Sequence, residues 1–512
     1  MAALRRSGPA ALAVVSSLLS HTLAIPFSTR DSNYTTLPIN TTTSISFSPC
    51  PSDLKLPPSL ECATYSVPID WDTPSGEHFD LGLVRLPARA NSTTKIGSLF
   101  VNPGGPGGSA TETVAGIAEG VFPLPDALFE AFDIIGLDPR GIGFSQAVQC
   151  DQSIWAERVS WFPDTQEDYD KLVDKNRRYG ESCREKTGPL LEYLDMVSIV
   201  KDHEAVRIAL DNKPLNMVGL SYGSFLGMTY ASLFPDSIRT LAIDGLLQHS
   251  QADSSNSFIE SSAYTVSLKN FFQWASTDSS SPLKGLDVES IWASLRKNAS
   301  SPLSASACDG TTNCASTVNA EEILWNAQQA LVFKLPQITS SLSTWGTLAS
   351  ALFNATTRGE YSSFSKRLDD HAQMAGVAMA CLDWAHDPSV FDLEYLRAKK
   401  HMAQTFFPLT GGQCQTVFEV HSCIGWPYAA SNPQAPTRVE TDFTVLAVAS
   451  DADPSTGYTW GVGALQELGN KVFVTRKGDG HTSFFLGGET AGVMAEYLIT
   501  GEAPERGLFL ES

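Results

Sequence analysis

Six short apolar runs, at residues 98–102, 132–137, 215–220, 240–244, 443–449 and 471–475, constrain the fold more than any other feature of the chain. Each has the length and β-branched content of a buried strand, and longer helical patterns separate them. Between Met196 and Leu210, for example, Ile199, Val206, Ala209 and Leu210 fall on one helical face. Strands that alternate with helices predict βαβ units, hence an α/β fold with a mostly parallel central sheet. Residues 67–69 and 81–86 read as an antiparallel lead-in. The alternation stops after Asp244 and resumes only near Phe443, with helical patterns at 320–333 and 364–384 between Ser/Pro-rich loops. A stretch that long is no plain loop; it predicts a large, mainly helical cap inserted at one edge of the sheet. At 512 residues the chain exceeds what one hydrophobic core usually serves, in keeping with an insertion.

Chemistry concentrates at the ends of these runs. Gly219-Leu220-Ser221-Tyr222-Gly223 follows an apolar strand and precedes a helical stretch. G-x-S-x-G in that setting is a nucleophile elbow, whose turn strains the Ser backbone and brings neighbouring chains so close that only Gly fits at the flanks. A serine hydroxyl is a poor nucleophile at neutral pH and needs a base, itself oriented by an acid. In α/β-hydrolases the chain order is Ser, acid, His. His481 closes Gly478-Asp479-Gly480-His481 after the last apolar run and is the expected base, whereas His203 falls on the helix before the elbow. The acid belongs just past 443–449, where Asp451 and Asp453 compete; Asp453 is preferred because it heads an Asp-Pro turn. Asp479 lies too near the histidine in sequence. For the oxyanion, Asn102-Pro103-Gly104-Gly105-Pro106-Gly107-Gly108 offers amides after a strand, so Tyr222 with Gly105 or Gly104 are the expected donors. The loop lacks the spacing of a nucleotide-phosphate site.

With these motifs the chain resembles the tripeptidyl-aminopeptidase and prolyl-aminopeptidase group of α/β-hydrolases, from about Cys50 to the C-terminus. The matching segments are Glu61-Cys62-Ala63-Thr64 into Val67-Pro68-Ile69-Asp70, the glycine loop to Ser109, Asp138-Pro139-Arg140-Gly141-Ile142-Gly143-Phe144-Ser145, and Ser221 to Gly227. Tyr230 to Asp236, Ile243-Asp244-Gly245, Cys423-Ile424-Gly425-Trp426-Pro427 and Asp453-Pro454-Ser455-Thr456 continue the likeness. Two departures stand out: Gly457 follows Thr456 where the family commonly has Pro, and Ser224 stands where Thr is usual. The resemblance implies a serine peptidase that removes residues from short unblocked N-termini, needs no metal or organic cofactor, and holds the substrate amine with acidic cap residues. Asp383, in Ala380-Cys381-Leu382-Asp383-Trp384, is the candidate for that contact, and a structural hydrogen bond is its alternative. The same triad would also serve an esterase, lactonase or tailoring hydrolase of a small metabolite. A catalytically dead binding module disagrees with the survival of Ser, acid and His in order.

The compartment follows from the N-terminus and the cysteines. Arg5 and Arg6, an apolar stretch ending near Leu23, and Thr22-Leu23-Ala24 read as a secretory signal over 1–24, too short for a bilayer span. A Ser/Thr/Asn-rich leader fills 25–48, then come a first core part (49–250), the cap (251–430) and a C-terminal core part (431–512). Asn33, Asn40, Asn91, Asn298 and Asn354 begin glycosylation sequons. Nine cysteines fit an oxidising compartment, with Cys50–Cys62, Cys150–Cys183 and Cys308–Cys314 suggested by spacing, and Cys381, Cys414 and Cys423 competing for one further bridge. No C-x-x-C pair or H-E-x-x-H points to a metal. A net charge of −21, from 35 basic and 56 acidic residues, argues against nucleic acid or anionic membrane as partner. It reads as a solvated acidic surface, or as a field favouring cationic substrates such as free peptide N-termini, while the triad itself implies a short peptide or small-molecule acyl substrate and leaves the oligomeric state open.

Overall fold

Ten strands form one sheet in the computed structural model, which describes residues 44–89, 95–311, 313–334 and 344–511. In chain order they are β1 (Ser48–Pro49), β2 (Glu61–Pro68), β3 (His78–Leu86), β4 (Gly97–Asn102), β5 (Phe132–Leu137), β6 (Leu215–Leu220), β7 (Ile238–Asp244), β8 (Val445–Ala452), β9 (Lys471–Asp479) and β10 (Leu508–Glu511). Across the sheet they lie β1-β2-β3-β5-β4-β6-β7-β8-β9-β10. The first three strands run antiparallel up to β5, and every pairing from β5 through β10 is parallel. The predicted runs thus become six consecutive central strands. They are buried on both faces, which is why they read as unbroken apolar segments rather than alternating ones. The expected signal over 1–24 and residues 25–43 of the expected leader, with Asn33, Asn40 and Asn91, lie outside the described residues.

Asp138 and Arg140, which follow β5, show why that segment is so polar for its position. The buried Asp138 carboxylate accepts from Ser109 Oγ (2.8 Å), Thr111 N (2.9 Å) and Phe144 N (2.9 Å), fixing the helix start that follows the glycine loop. Arg140, fully buried, pairs with Asp202 at 2.6–2.7 Å and donates to the Ile69 and Tyr193 carbonyls, so the desolvated charge is fully satisfied.

Between β7 and β8 stand seven α-helices among the described residues. Their first part has its own apolar centre, built from Tyr264, Phe271, Trp292, Leu324, Trp345 and Leu352. The later part does not. Met374, Val377, Cys381 and Leu382, with Phe418 and Trp426, pack into the same core as Leu194, Tyr222 and Phe225 beside the sheet. The insertion therefore closes down over the elbow. The helical pattern over 364–384 resolves into a single turn at Ser362–Phe364 and a helix at His371–Asp383. Asp370 ends the intervening loop by accepting from Gln373 N, an N-cap that the apolar spacing alone does not register.

Four disulfides form: Cys50–Cys62, Cys150–Cys183, Cys308–Cys314 and Cys381–Cys423. Cys414 is left as a buried thiol. Among the described residues no helix is long and apolar enough to cross a membrane.

Candidate active site

Ser221 sits between the end of β6 and the helix Tyr222–Leu233 with φ 57° and ψ −122°. That left-handed backbone costs energy in a non-glycine residue and is kept only where the surroundings over-determine it. Here they do. A Cβ on Gly219 would fall 2.1 Å from Gly223 O, and one on Gly223 would fall 2.7 Å from Asn102 O, so both flanks must be Gly. The Ser221 amide donates to Asp244 O at the end of β7 (2.9 Å). Ser224 Oγ donates to Ser221 O (2.6 Å) and accepts from Leu247 N (3.0 Å), so the serine that departs from the family's Thr has its hydroxyl inside the elbow.

The acid and the imidazole meet. His481 Nδ1 lies 2.9 Å from Asp453 Oδ1 and 2.8 Å from Oδ2. Asp453 is buried and accepts from Ser455 N and Thr456 N (both 2.8 Å) on Oδ1, and from Thr456 Oγ1 (2.9 Å) and Thr482 N (3.2 Å) on Oδ2. Burial alone would push its carboxyl up. The His481 charge, the hydrogen bond to it and the two amides outweigh that, and the net direction is down. For His481 burial works downward, and the Asp453 charge and hydrogen bond carry it above the ordinary histidine value. The imidazole keeps 14% exposure, enough to face a cleft.

Gly245 brings the base to the elbow. It directly follows Asp244, and a Cβ there would lie 3.3 Å from His481 Cε1. Among the described residues no hydrogen bond yet joins the Ser221 hydroxyl to the ring. Such contacts are often long without substrate and tighten in the complex.

The glycine loop lies against the elbow backbone to backbone. A Cβ on Gly104 would come 2.7 Å from Tyr222 N and 2.3 Å from Leu220 O. The Gly104 amide donates to Asn102 Oδ1 (3.0 Å) and is thereby occupied. Of the two candidate glycines, Gly105 is the one whose amide is not engaged by a hydrogen bond among the described residues, which leaves it the candidate donor with the Tyr222 amide at the helix start.

The other candidates separate cleanly. Asp451 is exposed and, among the described residues, accepts only from Gly478 N (3.0 Å), while Asp479 is taken by Asn270 (2.7 Å) and Lys334 (2.6 Å). His203 is buried on its helix with Nδ1 against Ile199 O (2.8 Å), and burial pushes it down to about 4. Asp383 does not fit an amine site. Its carboxylate is fully buried behind the elbow, held by Tyr222 Oη, Asn432 Nδ2 (2.6 Å) and Met196 N (3.0 Å), and burial beside Asp195 pushes it up to about 7. The helix His371–Asp383 turns that side chain toward the core, so the residue steadies Tyr222 instead.

Two residues emerge that sequence reasoning passes over. Arg476 in β9 is buried, and its guanidinium reaches Ser483 Oγ (3.1 Å) and the carbonyls of Asp479 (3.1 Å), Gly480 (2.6 Å) and Thr482 (3.1 Å), gathering the loop that carries His481. Glu419 lines a cavity of about 240 Å³ together with Gly105, Gly107, Trp325, Gln415 and Phe418. Gln415 Nε2 links them, donating to Glu419 Oε1 (2.8 Å) and Gly105 O (3.2 Å). Burial, reinforced by the Glu260 charge, pushes the Glu419 carboxyl well up. The buried Gln329 Nε2, on the same wall, has no partner among the described residues.

An elbow serine, a carboxylate-bound imidazole beside it and a mostly parallel sheet make this chain a serine hydrolase of the α/β-hydrolase fold. Residues 97–285 match the family model described as alpha/beta hydrolase fold, and residues 412–509 match that of TAP-like protein. The chain has the α/β-hydrolase fold, and its C-terminal part is similar to TAP-like proteins. The serine protease Hip1 of Mycobacterium tuberculosis (strain ATCC 25618 / H37Rv) is 27% identical over 490 residues, 90% of each chain. Tripeptidyl aminopeptidase of Streptomyces lividans is 31% identical over 210 residues, 40% of this chain and 39% of that one. A protein named carboxylesterase B, also of M. tuberculosis H37Rv, is 27% identical over 483 residues, 88% of this chain and 86% of that one.

Proposed function

We propose that the protein is a secreted aminopeptidase-like serine hydrolase that cleaves amide bonds near the free N-terminus of short peptides. Ser221 Oγ attacks the scissile carbonyl carbon while His481 takes its proton, and Asp453 holds the ring in the tautomer that presents a basic Nε2. The amides of Tyr222 and Gly105 receive the negative oxygen. His481 then returns the proton to the leaving amine as the C–N bond breaks. Water, activated by the same imidazole, releases the acyl group and restores Ser221. Secretion is supported by the N-terminal segment and the four disulfides. Of the two described sequons, Asn298 is exposed at a helix end and Asn354 is half-buried within a helix, so Asn298 is the better acceptor.

The observation that carries the peptide reading is Glu419, an acid in the cavity beside the oxyanion loop. A substrate ammonium would restore the charge that burial suppresses, and the relatives named as a protease and an aminopeptidase agree with it. N-acetylation of a tripeptide amide should then abolish cleavage, while Ser221→Ala removes both turnover and fluorophosphonate labelling. Equal cleavage of blocked and free peptides would reject the reading. An esterase is the second reading, favoured by the relative named carboxylesterase B, and preference for neutral esters over any peptide would select it.

A further inference from the structure

A second cavity adjoins the one beside Gly105. Trp325, Gln373 and Phe418 form part of the wall of both, and the second is smaller, about 50 Å³. That second space reaches the helix Gln166–Thr187, where Lys175 is only 5% exposed. Among the described residues its ammonium makes no hydrogen bond and no ion pair. It lies over the rings of Trp155 (5.7 Å) and Tyr179 (5.6 Å), and the buried Tyr179 hydroxyl likewise has no partner among the described residues. The amine of Lys366, which burial and the Lys175 charge push well down, stands 4.3 Å from the Trp155 ring and donates to the Trp155 carbonyl. Of the other charged groups in this wall, Arg158 binds Glu322 at 2.7 and 3.1 Å and Glu157 binds Arg178 at 2.6 and 2.8 Å, while Glu321 accepts from Ser160 Oγ (2.7 Å) and Trp161 N (3.4 Å) and burial pushes its carboxyl up.

A buried ammonium normally has a counter-ion, because desolvation is otherwise uncompensated. Cation–π contact returns only part of that loss. We propose that this second cavity is a subsite for a carboxylate of the substrate, received by Lys175 with Lys366 and the Tyr179 hydroxyl beside it. The space holds a few water-sized groups, enough for a carboxylate and too little for a bulky ring. Burial pushes Lys175 down to about 8, which leaves it charged at neutral pH. The carboxylate comes from one of two sources, an acidic side chain in the acyl part or the free C-terminus of the leaving part. The inference rests on the peptidase reading only for which molecule carries it.

The test uses the full chain and two pairs of short peptides. One pair differs only in the C-terminus, free acid against carboxamide; the other differs only in Glu against Gln in the acyl part. Wild type should favour the carboxylate member of one pair by at least about tenfold in kcat/KM, mainly through KM, and that pair identifies the source. Lys175→Met should bring the ratio to within about twofold while the neutral member keeps its wild-type rate, which also reports that the variant folds. Equal rates within both pairs for wild type overturn the proposal without any variant. So does a preference that survives in Lys175→Met. If wild type cleaves no peptide, the peptidase reading has failed separately. The subsite is then judged on p-nitrophenyl hemisuccinate against p-nitrophenyl butyrate, where equal hydrolysis by wild type rejects it.

Discussion

Replacing Asp453 by Asn changes one atom and should nearly silence the enzyme. The amides of Ser455 and Thr456 both donate to Oδ1 at 2.8 Å, so the Asn carbonyl will keep that position. Its NH₂ is then forced into the Oδ2 position, facing Thr482 N and His481 Nδ1. The NH₂ there donates to an unprotonated Nδ1, and although the Asn carbonyl also lies 2.9 Å from that nitrogen, this favours the tautomer with its proton on Nε2, where the nitrogen needed to take the Ser221 proton is no longer basic. A wrong tautomer at this position costs about 10⁴ in rate, or about 5.4 kcal/mol. The unpaired Thr482 amide adds about 1–3 kcal/mol of lost stability. The acid limb of the pH profile should move too. In wild type the base works only when neutral, and Asp453 holds its pKa above the ordinary histidine value, so kcat/KM rises with pH through that raised value. Without the charge the limb shifts to lower pH. The assay is kcat/KM on a peptide p-nitroanilide from pH 5 to 9, beside Asp451→Asn as control. Asp451 is exposed with one amide contact, and its variant should stay within about threefold. A loss below about tenfold in Asp453→Asn, or a matching loss in Asp451→Asn, refutes the assignment.

Further expectations follow from the same contacts. Arg476→Met leaves the carbonyls of Asp479, Gly480 and Thr482 without their donor, and should lower stability by on the order of 3 kcal/mol and kcat more than KM; denaturant unfolding and steady-state kinetics on one sample check both. Glu419→Gln should raise KM for free-amine peptides by at least about tenfold and leave a neutral ester unchanged, and equal effects on both substrates would remove the residue from amine recognition. The Cys381–Cys423 bridge closes a loop of separation 42, so the double Ala variant should lose up to about 4 kcal/mol, measured by urea unfolding, with a loss near zero pointing to a constrained unfolded chain.

The central strands and the elbow were legible because burial on both faces leaves an uninterrupted apolar record and because the Gly flanks are a steric necessity. Chain order then picked His481, and an Asp-Pro turn picked Asp453 over its neighbour two residues away. The pocket was much less legible. Asp383 and Glu419 are both acids on inserted helices, and nothing in their immediate sequence distinguishes the one facing Tyr222 from the one facing the glycine loop; that depends on how Gln415–His421 and His371–Asp383 roll against the sheet. Arg476 stands just after the run 471–475 and is followed by Lys477, so the sequence does not mark which of the two basic residues turns inward. Cys414 lost the contest for a bridge only through tertiary distance, which spacing does not encode.

The insertion is tied directly to the catalytic loops. Val332 O accepts from the amide of His481 (2.9 Å), and Gln328 Nε2 donates to Pro454 O (3.0 Å) while also holding Glu260 (2.7 Å). Exchanging the whole module would thus disturb the seat of His481 together with the cavity wall, whereas single side chains along the inner surface can change while these contacts stay in place.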